Sequence, residues 1–385
     1  MIETINIKNF GPIGNAEIQF ADLTILVGPQ ACGKSILLQM FKLLKDKKHI
    51  LQTLDKYSYI VNKNPDNILE AYFGEGISRI WTEESNISIN GKEKKKSSLL
   101  GMSQTEETEE VFYIPAQRIL SMNDGRLKNF MEFDNTTPYV LKYFSEILRL
   151  YIQKGLGSDK QIFPIPARLT ASVKTSFNDS VFHNGKIIMD ERNGQKRLRM
   201  SINDMNIPFM TWSAGQKEFM PMLLGFYGLT GPKSQFINNS QYKYVIIEEP
   251  EMGLHPRAIL SVMLQIIELM HKGYKVILST HSTLPLEFAW AFNMLKPENS
   301  KFGISPLLKL FGMEGCKSSD KGIFSNIWDK EIKTYLFSYK GEKVETSDIS
   351  SLDASSENSD ISEWGGLSSF ASKASEIMLQ ASSQY

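Results

Sequence analysis

Residues 28–35 read GPQACGKS and constrain the fold of this chain more than any other feature. The spacing G-x-x-x-x-G-K-[ST] is that of a loop whose backbone N–H groups surround a phosphate, followed by a lysine and a hydroxyl. The apolar run Leu23–Val27 precedes the loop, and apolar side chains at helical spacing follow from Ser35. Strand, glycine loop and helix in this order predict a phosphate-binding site. Its candidate residues are Gly28, Pro29, Gln30, Ala31, Cys32, Gly33, Lys34 and Ser35.

A second apolar strand, at residues 244–247, ends in the acidic pair Glu248 and Glu249. Ligands of parallel α/β sheets bind at the carboxyl edge of the strands, so this strand is expected to deliver both carboxylates there. We expect Glu248 to bind Mg²⁺ together with Ser35, and Glu249 to orient or deprotonate an attacking water. The alternative is a strand that simply ends in two solvated acids.

Two further motifs accompany the glycine loop and the acidic pair along the chain. Residues 212–218 read WSAGQKE, the pattern of a helix that begins with Ser213 as its cap and whose exposed N–H groups favour an anion. His281 follows a third apolar strand, at residues 275–278, and lies 32 residues beyond Glu249. Taken alone, the first pattern is a helix cap and the second a structural histidine. The order of the four motifs favours a function for both.

Together the motifs resemble those of ABC-type P-loop ATPases. Residues 212–216 resemble the signature usually written L-S-G-G-Q, with Ala214 in place of the first glycine. The spelling EEPEMGLHP at residues 248–256 and the pair Asn9-Phe10 are similar to the heads of OLD (overcoming lysogenization defect), SMC and RecF proteins rather than to a transporter. The resemblance covers roughly residues 1–120 and 200–295.

The resemblance implies an α/β fold: a P-loop NTPase head of the ABC type with a mostly parallel sheet, an antiparallel N-terminal β subdomain and a helical insertion. It implies ATP and Mg²⁺ as ligands and a homodimer or higher homo-oligomer. In that assembly the signature of one copy reaches the ATP of the other, through Ser213, Ala214, Gly215 and Gln216. His281 would sense the γ-phosphate and hold the attacking water.

Further residue roles follow from the same resemblance. Gln117 stands where a glutamine contacts Mg²⁺ and water, and Arg118 beside it is a phosphate or interface candidate. Asn9 and Phe10 would approach the base and sugar of the nucleotide, a plain core or turn role being the alternative. His255 occupies a position where transporters usually carry aspartate.

The expected domain organisation is discontinuous. Residues 1–120 and 200–300 form the head, and residues 121–199 form a mixed helical insertion or signature-side lobe. Residues 301–385 are expected to serve as a partner or interface element, with a Ser/Asp/Glu-rich linker at 338–363. A helical apolar face between Leu367 and Ala381 must dock on its own head or on a partner.

The chain has no long heptad run of the kind an SMC arm needs between residues 35 and 212, and no D-x-D pair of a TOPRIM nuclease after His281. It therefore resembles an OLD-type head without its own nuclease, such as the Septu-, PARIS- and retron-associated ATPases of bacterial anti-phage defence. Three functions stay open: a sensor or regulator of a separate effector, often a nuclease; a RecF- or SMC-like ATPase that clamps DNA; and a transporter's ATP-binding subunit.

Composition bears on these alternatives. The 43 basic residues equal the 43 acidic ones, so no overall field favours DNA, although lysines at 45, 47 and 48 and at 92 and 94–96 keep DNA binding open. Two distant cysteines, Cys32 and Cys316, are typical of a reducing cytosol. The charged N-terminus is not a signal peptide, and no apolar run approaches the about 18 residues of a membrane span. We expect a cytoplasmic protein without a membrane partner.

Overall fold

The computed structural model describes residues 3–61, 64–100, 108–156, 161–191, 194–203, 205–233 and 237–382. The strands in this part of the chain are β1 (Glu3–Phe10), β2 (Ile13–Phe20), β3 (Leu23–Val27), β4 (Trp81–Ile89), β5 (Lys92–Lys94), β6 (Val111–Ile114), β7 (Met122–Asn123), β8 (Arg126–Leu127), β9 (Gln161–Phe163), β10 (Lys186–Asp190), β11 (Arg197–Ile202), β12 (Met205–Pro208), β13 (Tyr244–Glu248), β14 (Lys275–Ser279), β15 (Ile332–Lys340) and β16 (Lys343–Asp348). The α-helices are α1 (Lys34–Lys45), α2 (Lys47–Lys56), α3 (Pro65–Phe73), α4 (Tyr139–Leu150), α5 (Ala171–Phe177), α6 (Ala214–Thr230), α7 (Pro256–His271), α8 (Leu284–Leu295), α9 (Asn299–Phe302), α10 (Ser305–Leu310), α11 (Ser318–Lys321), α12 (Ser359–Ser362) and α13 (Ser369–Ser382).

The main sheet has the strand order β5-β4-β1-β2-β16-β15-β3-β14-β13-β6. The part from β15 to β6 is entirely parallel. Every residue of β3 and β13 is buried, as expected where helices cover both faces of a parallel sheet. Their side chains alternate between two hydrophobic cores: Val245 and Ile247 face one, and Ile246 faces the other. The predicted α/β fold with a mostly parallel core is confirmed.

The predicted antiparallel N-terminal region is formed by β1, β2, β4 and β5. It is continuous with the parallel part, because β16 pairs with β2 on one side and with β15 on the other. The linker predicted at 338–363 is therefore wrong over its first part, where β15 and β16 form a hairpin of the main sheet. Buried Tyr335 and Phe337 and the buried Val344 supply the apolar face that the polar composition concealed.

The segment from 121 to 208, which includes the predicted mixed helical insertion at 121–199, contains helices α4 and α5 and a small antiparallel sheet of order β12-β11-β10-β9. Helix α6 follows directly after this sheet, so the segment lies beside the predicted signature. Gln216 of α6 donates a hydrogen bond from its side-chain amide to the carbonyl of Val181, at 3.0 Å. This lobe thus supports the start of the signature helix.

Helix α13 does not dock on its own head: none of its described side chains is buried. Phe370 is 83% exposed, and Ile377, Met378 and Leu379 are 64–69% exposed. Docking of this apolar face on a partner, the other expectation, stays a prediction. Within those same residues, no helix combines the length and apolar content that crossing a membrane requires.

Candidate active site

The phosphate loop connects β3 to α1, as the sequence predicts. Gly28 and Gly33 have φ angles of +143° and +88°, which side-chain-bearing residues rarely adopt. A Cβ atom at Gly28 would lie 2.3 Å from the carbonyl oxygen of Phe337 in β15. The Tyr339 hydroxyl, also in β15, donates to the carbonyl of Ala31 at 3.3 Å. The C-terminal hairpin therefore backs the loop, and glycine at position 28 lets the two segments approach.

Lys34 lies at the centre of this loop and is 6% exposed. Its ammonium group donates to the carbonyl oxygens of Gly28 and Pro29, both at 2.8 Å, and lies 3.4 Å from the sulfur of Cys32. The positive charge is thus held inside the curve of the loop, where a phosphate bound by the backbone N–H groups would meet it.

Glu248 ends β13 and is almost fully buried. Burial raises the pKa of its carboxyl group, and the nearby hydroxyls of Ser35 and Tyr113 oppose that rise. Among the described residues, its Oε1 atom has no hydrogen-bond partner. A buried carboxylate oxygen without a partner, next to the P-loop hydroxyl, fits the oxygen ligands that Mg²⁺ takes in nucleotide sites.

Glu249 and His281 meet at the edge of the sheet. Glu249 has a φ of +42°, uncommon for glutamate, and its N–H donates to the carbonyl of Ser279 at 2.9 Å. Its Oε1 lies 3.6 Å from Nε2 of His281, and both side chains are about one-third exposed. The twisted backbone turns this carboxylate away from the buried position of Glu248 and towards the accessible edge. The sequence-predicted pair is brought together.

Glu251 is a further residue of this edge that the sequence analysis did not single out. Its Oε1 accepts hydrogen bonds from the Thr280 hydroxyl at 2.9 Å and from the N–H of His281 at 2.5 Å. Its Oε2 is buried and has no hydrogen-bond partner among the described residues. The sequence does contain a signal for this residue, because a third acidic residue follows two positions after Glu249. Roles were assigned only to Glu248 and Glu249.

Gln117 is exposed just beyond the end of β6, at the same carboxyl edge of the sheet as Glu248. Arg118, by contrast, is completely buried, so its assignment as a phosphate or interface candidate is wrong. Its guanidinium donates to the carbonyls of Glu218 at 3.0 Å, Glu248 at 3.1 Å and Glu249 at 3.2 Å. Arg118 therefore fastens the acidic strand to the signature helix.

Phe10 does not fit a nucleotide contact. It is fully buried, with ring centroids 6.2 Å from Phe73 and 5.9 Å from Trp81. Asn9 has a φ of +51°, and its carbonyl accepts a hydrogen bond from the Ser85 hydroxyl. These contacts agree with the alternative expectation, in which Phe10 belongs to the core and Asn9 to a turn.

The signature, residues 213–216, begins helix α6 as predicted. Ser213 and Gln216 form a reciprocal capping box, at 3.3 Å from the Gln216 N–H to the Ser213 hydroxyl and 3.1 Å from the Ser213 N–H to the Gln216 side chain. A Cβ at Gly215 would lie 2.5 Å from the carbonyl oxygen of Gly253. Ser213 and Ala214 are exposed. The start of this helix is therefore packed on its inner side and open on its outer side.

His255 is exposed, and its Nδ1 accepts a hydrogen bond from the N–H of Arg257 at 3.3 Å. It caps helix α7, which Pro256 begins. In this chain its described contact is therefore that of a helix cap.

Two family models match the sequence. Residues 1–130 match a model described as an AAA ATPase domain. Residues 143–287 match a model described as "AAA domain, putative AbiEii toxin, Type IV TA system". The first contains the P-loop, and the second contains the signature, both glutamates of the acidic pair and His281.

A curated relative is the Old nuclease of Escherichia phage P2, which is 29% identical over 140 residues, or 35% of this chain and 22% of that protein. The chain is a P-loop ATPase that carries AAA ATPase domains and is similar to part of the Old nuclease. This ATPase spans less than a quarter of the length of the Old nuclease in that match.

Solved structures similar to this ATPase include two SMC heads and an ABC transporter cassette. An SMC head bound to the C-terminal winged-helix domain of ScpA is 12% identical, over 90% of this chain and 97% of that one, with a TM-score of 0.40. The SMC head domain from Thermotoga maritima is 11% identical, over 90% and 98%, with a TM-score of 0.36. A dimeric bacterial ABC transporter cassette is 12% identical, over 74% and 90%, with a TM-score of 0.34.

Proposed function

We propose that this ATPase binds ATP with Mg²⁺, closes with a second copy around it, and uses that cycle to hold and release a separate effector protein, with a nuclease as the leading candidate. The observation that carries the catalytic part is the arrangement at one sheet edge. There Glu249 lies 3.6 Å from His281, and the buried carboxyl group of Glu248, whose Oε1 has no hydrogen-bond partner among the described residues, lies near the Ser35 hydroxyl.

Each side chain has a role in this proposal. Lys34 supplies positive charge to the phosphates. The Ser35 hydroxyl and Glu248 would bind Mg²⁺, and Gln117 would contact the same ion and its water. Bound Mg²⁺ would neutralise charge on the phosphate oxygens. Among the described residues no cluster of three or more His, Cys, Asp or Glu side chains forms a metal site, and a nucleotide Mg²⁺ ion needs none, because it takes most ligands from phosphate and water. Glu249 orients the attacking water and accepts its proton, and His281 holds that water against the γ-phosphate.

Lys34→Ala should weaken ATP binding by roughly 10- to 100-fold, the effect of losing a charge-assisted hydrogen bond to the phosphates. Equilibrium binding of ATP measures this change. Lys309→Ala, which removes an exposed lysine of α10, is the matched control and should bind ATP normally. Unchanged affinity of the Lys34 variant would remove the P-loop role assigned to this lysine.

The signature is proposed to act in the second copy. Ser213 and Ala214 are exposed at the start of α6, and the described contacts of the signature outside its own capping box are to Val181 and Gly253 rather than to the P-loop. Specific activity should therefore rise with protein concentration at about micromolar levels or below, as chains associate. Activity per chain that stays constant while light scattering finds only monomers would contradict a shared site.

The effector role is supported by two observations. The relative that matches the chain is named a nuclease, and this chain spans only a part of it. Helix α13 carries an exposed apolar face that suits a protein partner.

The test is purification of tagged Glu249→Gln protein from its native host, first with ATP and then with ADP. A stoichiometric nuclease or toxin that is retained with ATP, released with ADP and lost on deletion of residues 367–385 would support the role. A membrane subunit would support the transporter alternative.

One observation favours a DNA-clamping ATPase as the second candidate. The two lysine clusters that are distant in sequence lie together in space: Lys45, Lys92 and Lys94 line one surface cavity of about 510 Å³. Burial and the charges of Lys48 and Lys94 lower the pKa of Lys47. Glu3 and Glu110 neutralise part of this surface through ion pairs to Lys45. ATP-dependent and strongly salt-dependent DNA binding by the purified protein would favour this alternative.

A further inference from the structure

We infer that Glu251 is a positioning residue of the hydrolytic site, which holds His281 beside Glu249; this inference rests on the proposed function. Residues 280–282, here called the switch loop, follow β14 and lie next to the turn that follows β13. Glu251 stands in that turn, two residues beyond Glu249. Its carboxylate joins the turn to the switch loop through hydrogen bonds.

Glu251 contacts the backbone of His281, the residue that it is inferred to position. Glu251 accepts the N–H of His281 at 2.5 Å and the Thr280 hydroxyl at 2.9 Å through the same oxygen. Hydrogen bonds from N–H to a carboxylate are shorter and stronger than those between neutral groups. The position of the His281 backbone is therefore set by the chain segment that also carries Glu249.

Thr280 extends this connection in two directions. Its N–H donates to the carbonyl of Leu26, in the strand that leads into the P-loop, at 3.0 Å. Its hydroxyl oxygen accepts the N–H of Ser282 at 3.0 Å. The Glu251 carboxylate thus links the switch loop to the turn after the acidic strand, and the backbone N–H of Thr280 links the same loop to β3.

The imidazole needs this fixing because nothing else described holds it closely. His281 is about one-third exposed, and its contact with Glu249, at 3.6 Å, is longer than a hydrogen bond. Freed from Glu251, the switch loop would let the imidazole move away from the water that Glu249 is proposed to activate. Displacement of a catalytic group by about 1 Å costs on the order of 100-fold in rate.

The test is a double-mutant cycle on steady-state hydrolysis. Glu251→Ala should lower kcat by about 10- to 100-fold with little change in KM for ATP. Glu251→Gln keeps an oxygen acceptor for the His281 N–H and should stay within about threefold of the unaltered protein. In a His281→Ala background, which itself lowers kcat, Glu251→Ala should cost less than about threefold more, because the residue it positions is gone.

The outcomes separate this inference from the function on which it rests. If His281→Ala leaves kcat unchanged, the catalytic role of His281 fails and the inference with it. His281→Ala could lower kcat while Glu251→Ala still causes the same fold-loss of kcat in the His281→Ala protein as in the unaltered protein. Either that result or a Glu251→Ala effect on KM alone would show that Glu251 does not act through His281. Should Glu251→Ala not fold, Thr280→Val removes the hydroxyl donor at nearly constant volume, and its loss of kcat must likewise vanish in the His281→Ala background.

Discussion

Replacing Glu249 by Gln should lower the rate of ATP hydrolysis by roughly 10²- to 10⁴-fold and leave ATP binding almost unchanged. Glutamine keeps the size and polarity of the side chain but does not accept a proton from water at neutral pH. The carboxylate is partly exposed and lies 3.6 Å from His281, so it is placed to contact a water at the sheet edge. Steady-state phosphate release and equilibrium ATP binding, measured on the same preparation, check both halves of this prediction.

A second consequence concerns assembly. Because bound ATP is not consumed, the Glu249→Gln protein should accumulate as an ATP-bound dimer, which light scattering detects with ATP but not with ADP. Glu84→Gln, which changes an exposed glutamate of β4, is the matched control and should hydrolyse ATP at the normal rate. Hydrolysis by Glu249→Gln within about tenfold of normal would show that another group accepts the proton.

Replacing Lys42 by Met should destabilise the head by about 3–5 kcal/mol, the cost of leaving buried charge uncompensated. Lys42 is 1% exposed, and its ammonium donates to Asp46 at 3.0 Å, to Glu109 at 2.5 Å and to the carbonyl of Val111 at 2.6 Å. Burial alone would lower the pKa of Lys42, and the two carboxylates raise it above its ordinary value. The hydrogen bond to Val111 joins α1, which begins at the P-loop, to β6, which ends close to Gln117.

The pH dependence of that loss follows from the carboxylates. Burial raises the pKa of Asp46 to about 6, above its unfolded value, with the charge of Lys42 opposing the rise. Without Lys42 the folded protein would bind protons still more readily than the unfolded chain, so stability should fall as pH rises. Urea unfolding should therefore give a smaller loss at about pH 5 than at about pH 8.

The control for this prediction is Lys95→Met, which alters an exposed lysine and should change stability by less than about 0.5 kcal/mol. If Lys42→Met were as mild as this control at every pH, the charge of Lys42 would not be what stabilises the buried carboxylates.

The parts of the site that the sequence predicts well are those fixed by short stretches of chain. The P-loop, the acidic strand and the capped signature helix each depend on local backbone geometry, as at Gly28 and Ser213. The meeting of the P-loop, the acidic strand and His281 at one edge follows from the parallel arrangement of β3, β13 and β14. What a motif does not specify is the long-range pairing, such as that of β15 with β3, which places Phe337 against Gly28.

The errors have particular physical causes. The linker expected at 338–363 was inferred from Ser, Asp and Glu content, whereas the hairpin is formed by the pairing of β15 with β16 and by buried side chains such as Phe337 and Val344. Phe10 is turned into the core by a register shift in the pairing of β1 with β4 between Lys8 and Phe10, where Asn9 has a positive φ. Arg118 stands next to Gln117 in sequence but points inward, and adjacency in sequence gives no direction to a side chain.

The central claim is that each hydrolytic site combines the P-loop of one copy with the signature of another, and complementation of two inactive variants tests it most directly. At an ATP concentration near the Kd of the unaltered protein, Lys34→Ala protein is largely free of ATP but keeps its signature, whereas Ser213→Arg protein keeps the P-loop, Glu249 and His281 but blocks its signature. Each should be largely inactive alone. Mixed in equal amounts, they should recover about a quarter of normal activity if the sites act independently, since half the dimers are mixed and each has one complete site. A mixture no more active than its separate components, although mixed dimers form and bind ATP, would contradict the shared site.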